Sequence, residues 1–151
     1  MKKAILITTI IAGSLDISAA FIQSYFMYNV MPSGVLQFIS SGILGSAAYS
    51  GGFGIIALGL LVHYLIALSC TACFFWLYPK WRIFNLSIWL NSVLIALITW
   101  VVTSQIIVPL SRIKHRNFDV HKAFIALTIL VICIGIPIAY FAKKYYEQKD
   151  Q

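Results

Sequence analysis

The sequence predicts an all-α integral membrane bundle of four transmembrane helices, with a short interfacial or re-entrant helix in the first outer loop. Three observations predict it. Apolar residues make up 61% of the chain and charged ones 10%, against about 45–50% and about 25% in a soluble domain. Formal charge is absent from Ile17 to Pro79, from Ile83 to Ser111 and from Ala123 to Ala142. These runs reach the roughly 20 residues needed to cross about 30 Å of hydrocarbon. They lack strand-type alternation, and only helices or closed barrels satisfy the backbone in lipid, so helices are expected. The 151 residues form one transmembrane domain.

The first span is expected over Ala4–Tyr28 and the second over Phe53–Tyr78. The third follows over Phe84–Val108 and the fourth over Val120–Ala142. Aromatics gather at several ends, such as Tyr25, Phe26 and Tyr28, or Phe75, Trp76 and Tyr78, where amphipathic rings favour the membrane interface. Pro79 and Pro109 stand just past the second and third spans, where a residue without an N–H ends a helix. Pro137 lies inside the fourth and is expected to kink it. Lys2-Lys3, the apolar run after them and Ser18-Ala19-Ala20 imitate a cleavable signal. The run continues apolar through Val30, and Asp16 is unusual just before such a site. An uncleaved first span is therefore expected.

Between the first two spans, Leu36, Ile39, Ile43 and Ala47 recur at helical spacing, while Ser33, Gln37, Ser41 and Gly45 share another face. This pattern predicts a short amphipathic helix, linked to the second span by Gly51, Gly52 and Gly54. It either plugs the outer end of the bundle or gates a substrate.

The net charge of +7 does not imply nucleic acid. The basic residues flank the apolar runs, as headgroup contacts do. With the N-terminus inside, seven Lys and Arg lie on the inner side and four on the outer, which favours cytoplasmic N- and C-termini. A fifth span over Ser33–Ser50 would reduce this bias to six against five, and that segment is short and polar for a span.

Asp16 is the sharpest chemical signal. A charged group at mid-membrane costs roughly 2.5–3.5 kcal/mol on insertion scales and normally faces protein or water. It shares a stripe with Thr9, Gly13, Ala20 and Gln23, and His63 shares one with Gly59, Ala67 and Cys70. On a rise of about 1.5 Å per residue, Asp16 lies roughly 18 Å from the inner start of its span and His63 roughly 15 Å from the outer start of its own. Both fall near the midplane, as an intramembrane polar pair. Gly13, Gln23, Gly59 and Asn91 are supporting residues, Asn91 as an interhelical hydrogen-bonding group. The pair is either a proton-accepting site or a register device.

Cys70-Thr71-Ala72-Cys73 is a C-x-x-C inside an apolar helix. A thiol enzyme that reduces quinone needs exposure to the oxidising side and a second pair. Packing is the expected role. His63 and His121 lie about 13 Å apart in depth, too far to ligate one iron. No cofactor and no metal site is expected.

Further stretches carry a resemblance. Gly13-Ser14-Leu15-Asp16-Ile17-Ser18-Ala19-Ala20 is followed by Pro32 and Val35-Leu36-Gln37-Phe38-Ile39-Ser40-Ser41-Gly42. Leu58 through Tyr64, Val108-Pro109-Leu110-Ser111 and Gly135-Ile136-Pro137-Ile138-Ala139 come after. In that order the chain resembles an uncharacterised family of small four-span bacterial inner-membrane proteins, with no known activity. The resemblance implies an inner-membrane location. It also places a His near the position of Leu130, so a two-histidine proton relay would be incomplete here.

The expected function is that of a non-enzymatic structural or accessory membrane protein. Its expected partners are membrane lipid and a second copy or another membrane protein, packed through the small-residue stripes. The alternative is a small proton-coupled transporter or carrier centred on Asp16 and His63. A membrane redox enzyme comes third.

Overall fold

The computed structural model describes residues 1–80, 87–107 and 120–149. Among them every regular element is a helix. In chain order these are α1 (Lys2–Tyr28), α2 (Pro32–Leu44), a 3-10 segment (Gly45–Ser50), α3 (Phe53–Leu77) and α4 (Ile88–Val101). Helix α4 continues as a π-helical stretch over Val102–Ile107. Helix α5 (Val120–Leu130) passes through a π-turn at Val131–Gly135 into α6 (Ile136–Lys149).

Among the described residues three helices are long and apolar enough to cross a membrane: Lys2–Tyr28, Phe53–Leu77 and Ala123–Lys149. The third expected span is represented by a shorter apolar helix, Ile88–Ser104. Trp81 and Arg82, Pro109, and the basic loop with Arg112, Lys114, His115 and Arg116 lie outside the described residues.

The helices end where local chemistry directs. Asn29 closes α1 in the left-handed conformation at φ 52°, which Asn tolerates better than most residues. Its N–H bonds the Tyr25 carbonyl, and the Val30 N–H bonds that of Ser24, so two terminal carbonyls gain partners. Pro32 opens α2 at its first turn, where its missing N–H costs nothing. Gly45 ends α2 at φ 66°. Pro137 has no N–H to give the Cys133 carbonyl. The helix accommodates this with the π-turn just before it, in which the Ile136 N–H reaches back to the Val131 carbonyl.

Burial is inverted relative to a soluble bundle. Thr8, Ser40, Thr71, Asn91 and Ser92 are sealed inside, while Ile10, Ile22, Phe26, Leu61, Trp89 and Phe124 are exposed. Lipid is the medium in which large apolar side chains face outward at no cost, and small polar residues hold the helices together.

Helix α1 packs between α3 and the α5–α6 helix, and α4 packs on the far side of the latter. Glycines permit the tightest crossings. A methyl group at Gly135 would run into the Ser92 backbone, and one at Gly59 into the Leu36 backbone. At the end of the bundle that carries both termini, Phe74, Phe75, Ile95, Ile138 and Ala142 form the apolar core. There the Tyr146 hydroxyl donates to the Phe75 carbonyl at 2.6 Å, and its ring stacks on Tyr78. Helices α3 and α4, consecutive among the long elements, are separated by a cleft.

Helix α2 exists where expected, but it presents a different face. Leu36 is buried and Ile39 half-buried, yet Ile43 and Ala47 are exposed and Ser41 is buried. The reason is the approach to α3. Ser40 is small enough to sit against it, and its hydroxyl donates to the Ile55 carbonyl at 2.6 Å. Gly45 then turns the chain out of the helix, so Ala47 no longer continues the spacing.

Candidate functional site

The site grows from the crossing of α1 and α3. Gly13 carries no side chain, so the Tyr64 ring and Ala67 lie against its backbone. The close approach brings His63 Nε2 within 2.9 Å of the Gly13 carbonyl oxygen. A carbonyl only accepts, so Nε2 carries the proton and donates. In the neutral ring Nδ1 is then left as an acceptor. One residue further along each helix, the Ser14 and Tyr64 hydroxyls meet at 2.7 Å, which fixes the register of the two helices.

Asp16 lies one turn beyond Gly13 on α1 and is half-buried. Asp16 and His63 line one cavity of about 190 Å³ together with Cys70, Thr99, Thr103 and Leu130. Ile39 of α2 closes one side of it, and Ile66, Ala67 and Ile134 complete the wall. The two ionisable groups share the cavity, and the His63 Nε2 hydrogen bond goes to the Gly13 carbonyl rather than to Asp16. Among the described residues no hydrogen bond to the Asp16 carboxylate is found, and Asp16 lines the cavity within electrostatic reach of His63. The Thr103 hydroxyl is turned back onto the Thr99 carbonyl at 2.7 Å, so it offers the cavity only acceptor capacity.

The remaining expected residues are placed elsewhere. Gln23 stands outside the cavity, and its amide reaches Met27 Sδ on its own helix at 3.7 Å. Gly59 serves the α2–α3 crossing. Asn91 is buried in α4 beside Ser92, at the crossing with Gly135. Cys70, Cys73 and Cys133 are free thiols, with Cys73 exposed. Among the described residues no group of His, Cys, Asp and Glu is placed to hold a metal ion.

Two lining residues, Thr99 and Thr103, are not singled out by the sequence alone. They are four apart on one helical face, a spacing that could have marked them. A second opening adjoins this cavity. The cleft between α3 and α4 has a volume of about 180 Å³ and is walled by Ser69, Cys73, Leu77, Ile95, Ile98 and Val102. Cys70 and Thr99 line both spaces, and their side chains meet between the two.

Comparison with family models, with curated proteins and with solved structures finds no match. Function therefore has to come from the chemistry of the cavity.

Proposed function

We propose that this protein is a small proton-coupled carrier of the bacterial inner membrane, working through the cavity between Asp16 and His63. The observation that carries the reading is the open carboxylate. A carboxylate held inside an apolar bundle without a protein donor needs a proton, a cation or a polar solute as its partner. The His63 Nε2 hydrogen bond to the Gly13 carbonyl, rather than to Asp16, supports this reading over a closed register pair.

The accessory reading draws on small-residue stripes free to pack against another protein. Gly13 and Gly59 of those stripes pack within the chain, against Tyr64 and Leu36, which favours the carrier reading. In the carrier reading Ile88–Ile107, about 20 residues, makes the third of four crossings, and both termini are cytoplasmic. Helix α2 lies at the outer interface, with Ile39 as the plug over the cavity.

The test uses proteoliposomes loaded with a pH-sensitive dye and holding an imposed pH gradient. They are challenged in turn with small organic cations, anions and neutral amphiphiles. At least one class is expected to move protons faster than in protein-free liposomes, and Asp16→Asn to abolish the excess. No response to any class would restore the structural role.

A further inference from the structure

The cavity and the cleft differ in chemistry but share two residues. At one end stands Asp16, the only carboxylate side chain in the sequence before Asp119. At the other end the walls are almost wholly apolar, and the cleft opens between two helices that otherwise face lipid. Its volume of about 180 Å³ is on the scale of the ~150 Å³ apolar cavity that accepts a benzene-sized ring.

We propose that the α3–α4 cleft admits a lipid-soluble organic cation from the membrane, its apolar body resting in the cleft and its ammonium group reaching Asp16 by parting the Cys70–Thr99 contact. The class is a protonated or quaternary amine with a ring-sized apolar portion. This rests on the carrier reading and names its substrate. An anion would be repelled by the Asp16 carboxylate, and a neutral solute would leave that carboxylate without a counter-charge. One carboxylate holds either a proton or the cation. Arrival of the cation therefore releases the proton from Asp16, and protonation releases the cation, with charge balanced at each exchange.

The titratable groups facing the cavity are Asp16 on α1 and His63 and Cys70 on α3, with Cys73 of α3 on the cleft wall and Cys133 of the π-turn within electrostatic reach of Asp16. Helices α2 and α4 contribute only Ile39, Thr99 and Thr103, and the last helix Leu130 and Ile134. Competition between proton and cation is thus centred on Asp16.

The test measures binding of tritiated benzyltrimethylammonium to the whole protein in lipid nanodiscs, with neopentylbenzene as the uncharged competitor of the same shape. Saturable binding is expected that weakens as pH falls, is lost at least tenfold in Asp16→Asn and is not displaced by neopentylbenzene. Ser69→Phe and Cys73→Trp fill the cleft from exposed positions and should weaken binding at least tenfold while the protein stays folded. Equal binding by Asp16→Asn, or displacement by the neutral isostere, would overturn the proposal. So would proton movement driven only by anions or neutral amphiphiles, which would leave the carrier reading intact. Cation binding that needs Asp16 but moves no protons would support the site and remove the carrier.

Discussion

Alanine at Gly135 sets two effects of opposite sign against each other. In a helix interior, Gly→Ala gains up to about 1 kcal/mol of helix propensity. At Gly135 the added methyl would stand 2.9 Å from the Ser92 carbonyl carbon and 3.0 Å from its Cα, and closer still to the carbonyl oxygen. These are backbone atoms and cannot rotate away. To restore an ordinary contact of 3.4 Å to that oxygen, α4 must retreat from the last helix by about 1 Å. A gap of that size forfeits a quarter or more of each contact along the seam, and overpacking typically costs about 1–3 kcal/mol. The overpacking wins, for a net loss of about 1–2 kcal/mol. Gly54 is the control, because a methyl there meets nothing within 4 Å and only the propensity gain remains. Thermal unfolding in detergent reads the difference at about 2–4 °C per kcal/mol. Gly135→Ala should lower Tm and Gly54→Ala should hold or raise it. A rise at Gly135 equal to that at Gly54 would refute the close α4 crossing.

Three further outcomes follow from the packing. Ser40→Leu should destabilise by about 1–3 kcal/mol through overpacking against α3, while Ile43→Leu should stay within about 0.5 kcal/mol; equal effects would mean that α2 is turned the other way. In a double-mutant cycle of Asp16→Asn and His63→Gln, the coupling should stay below about 1 kcal/mol, since the two share a cavity rather than an ion pair; a coupling of about 3 kcal/mol would reveal direct contact. Reporters fused after Gln151 and at Lys80 should read cytoplasmic and one at Arg116 periplasmic; a periplasmic C-terminus would rule out the four-crossing arrangement.

The long helices are legible in the sequence because absence of charge over a membrane's thickness is a local property. Pro79 and Pro137 announce a stop and a distortion for the same reason, since each removes a donor from its own helix. The face of α2 is not legible in this way. The apolar spacing points to Ile43, but burial is decided by Gly59 on another helix and by the ability of Ser40 to reach the Ile55 carbonyl. The site divides similarly. Asp16 and His63 stand out as ionisable residues in apolar runs, and both line one cavity. That His63 would commit to the Gly13 carbonyl depends on a backbone approach that no spacing encodes. The α3–α4 cleft is hidden for a topological reason. Consecutive spans joined by a short connection are expected to be neighbours, whereas here α1 and the last helix fill the positions beside them.

The central claim is that Asp16 presents an open carboxyl group to a cavity reached from the membrane. Dicyclohexylcarbodiimide, which dissolves in lipid and modifies protonated carboxyls in apolar surroundings, tests it directly. Intact protein in bilayers is treated, digested and read by mass spectrometry. The account predicts an adduct on Asp16, absent in Asp16→Asn and slowed by saturating benzyltrimethylammonium. An Asp16 that stays unmodified in the bilayer and reacts only after the bundle is unfolded would contradict it.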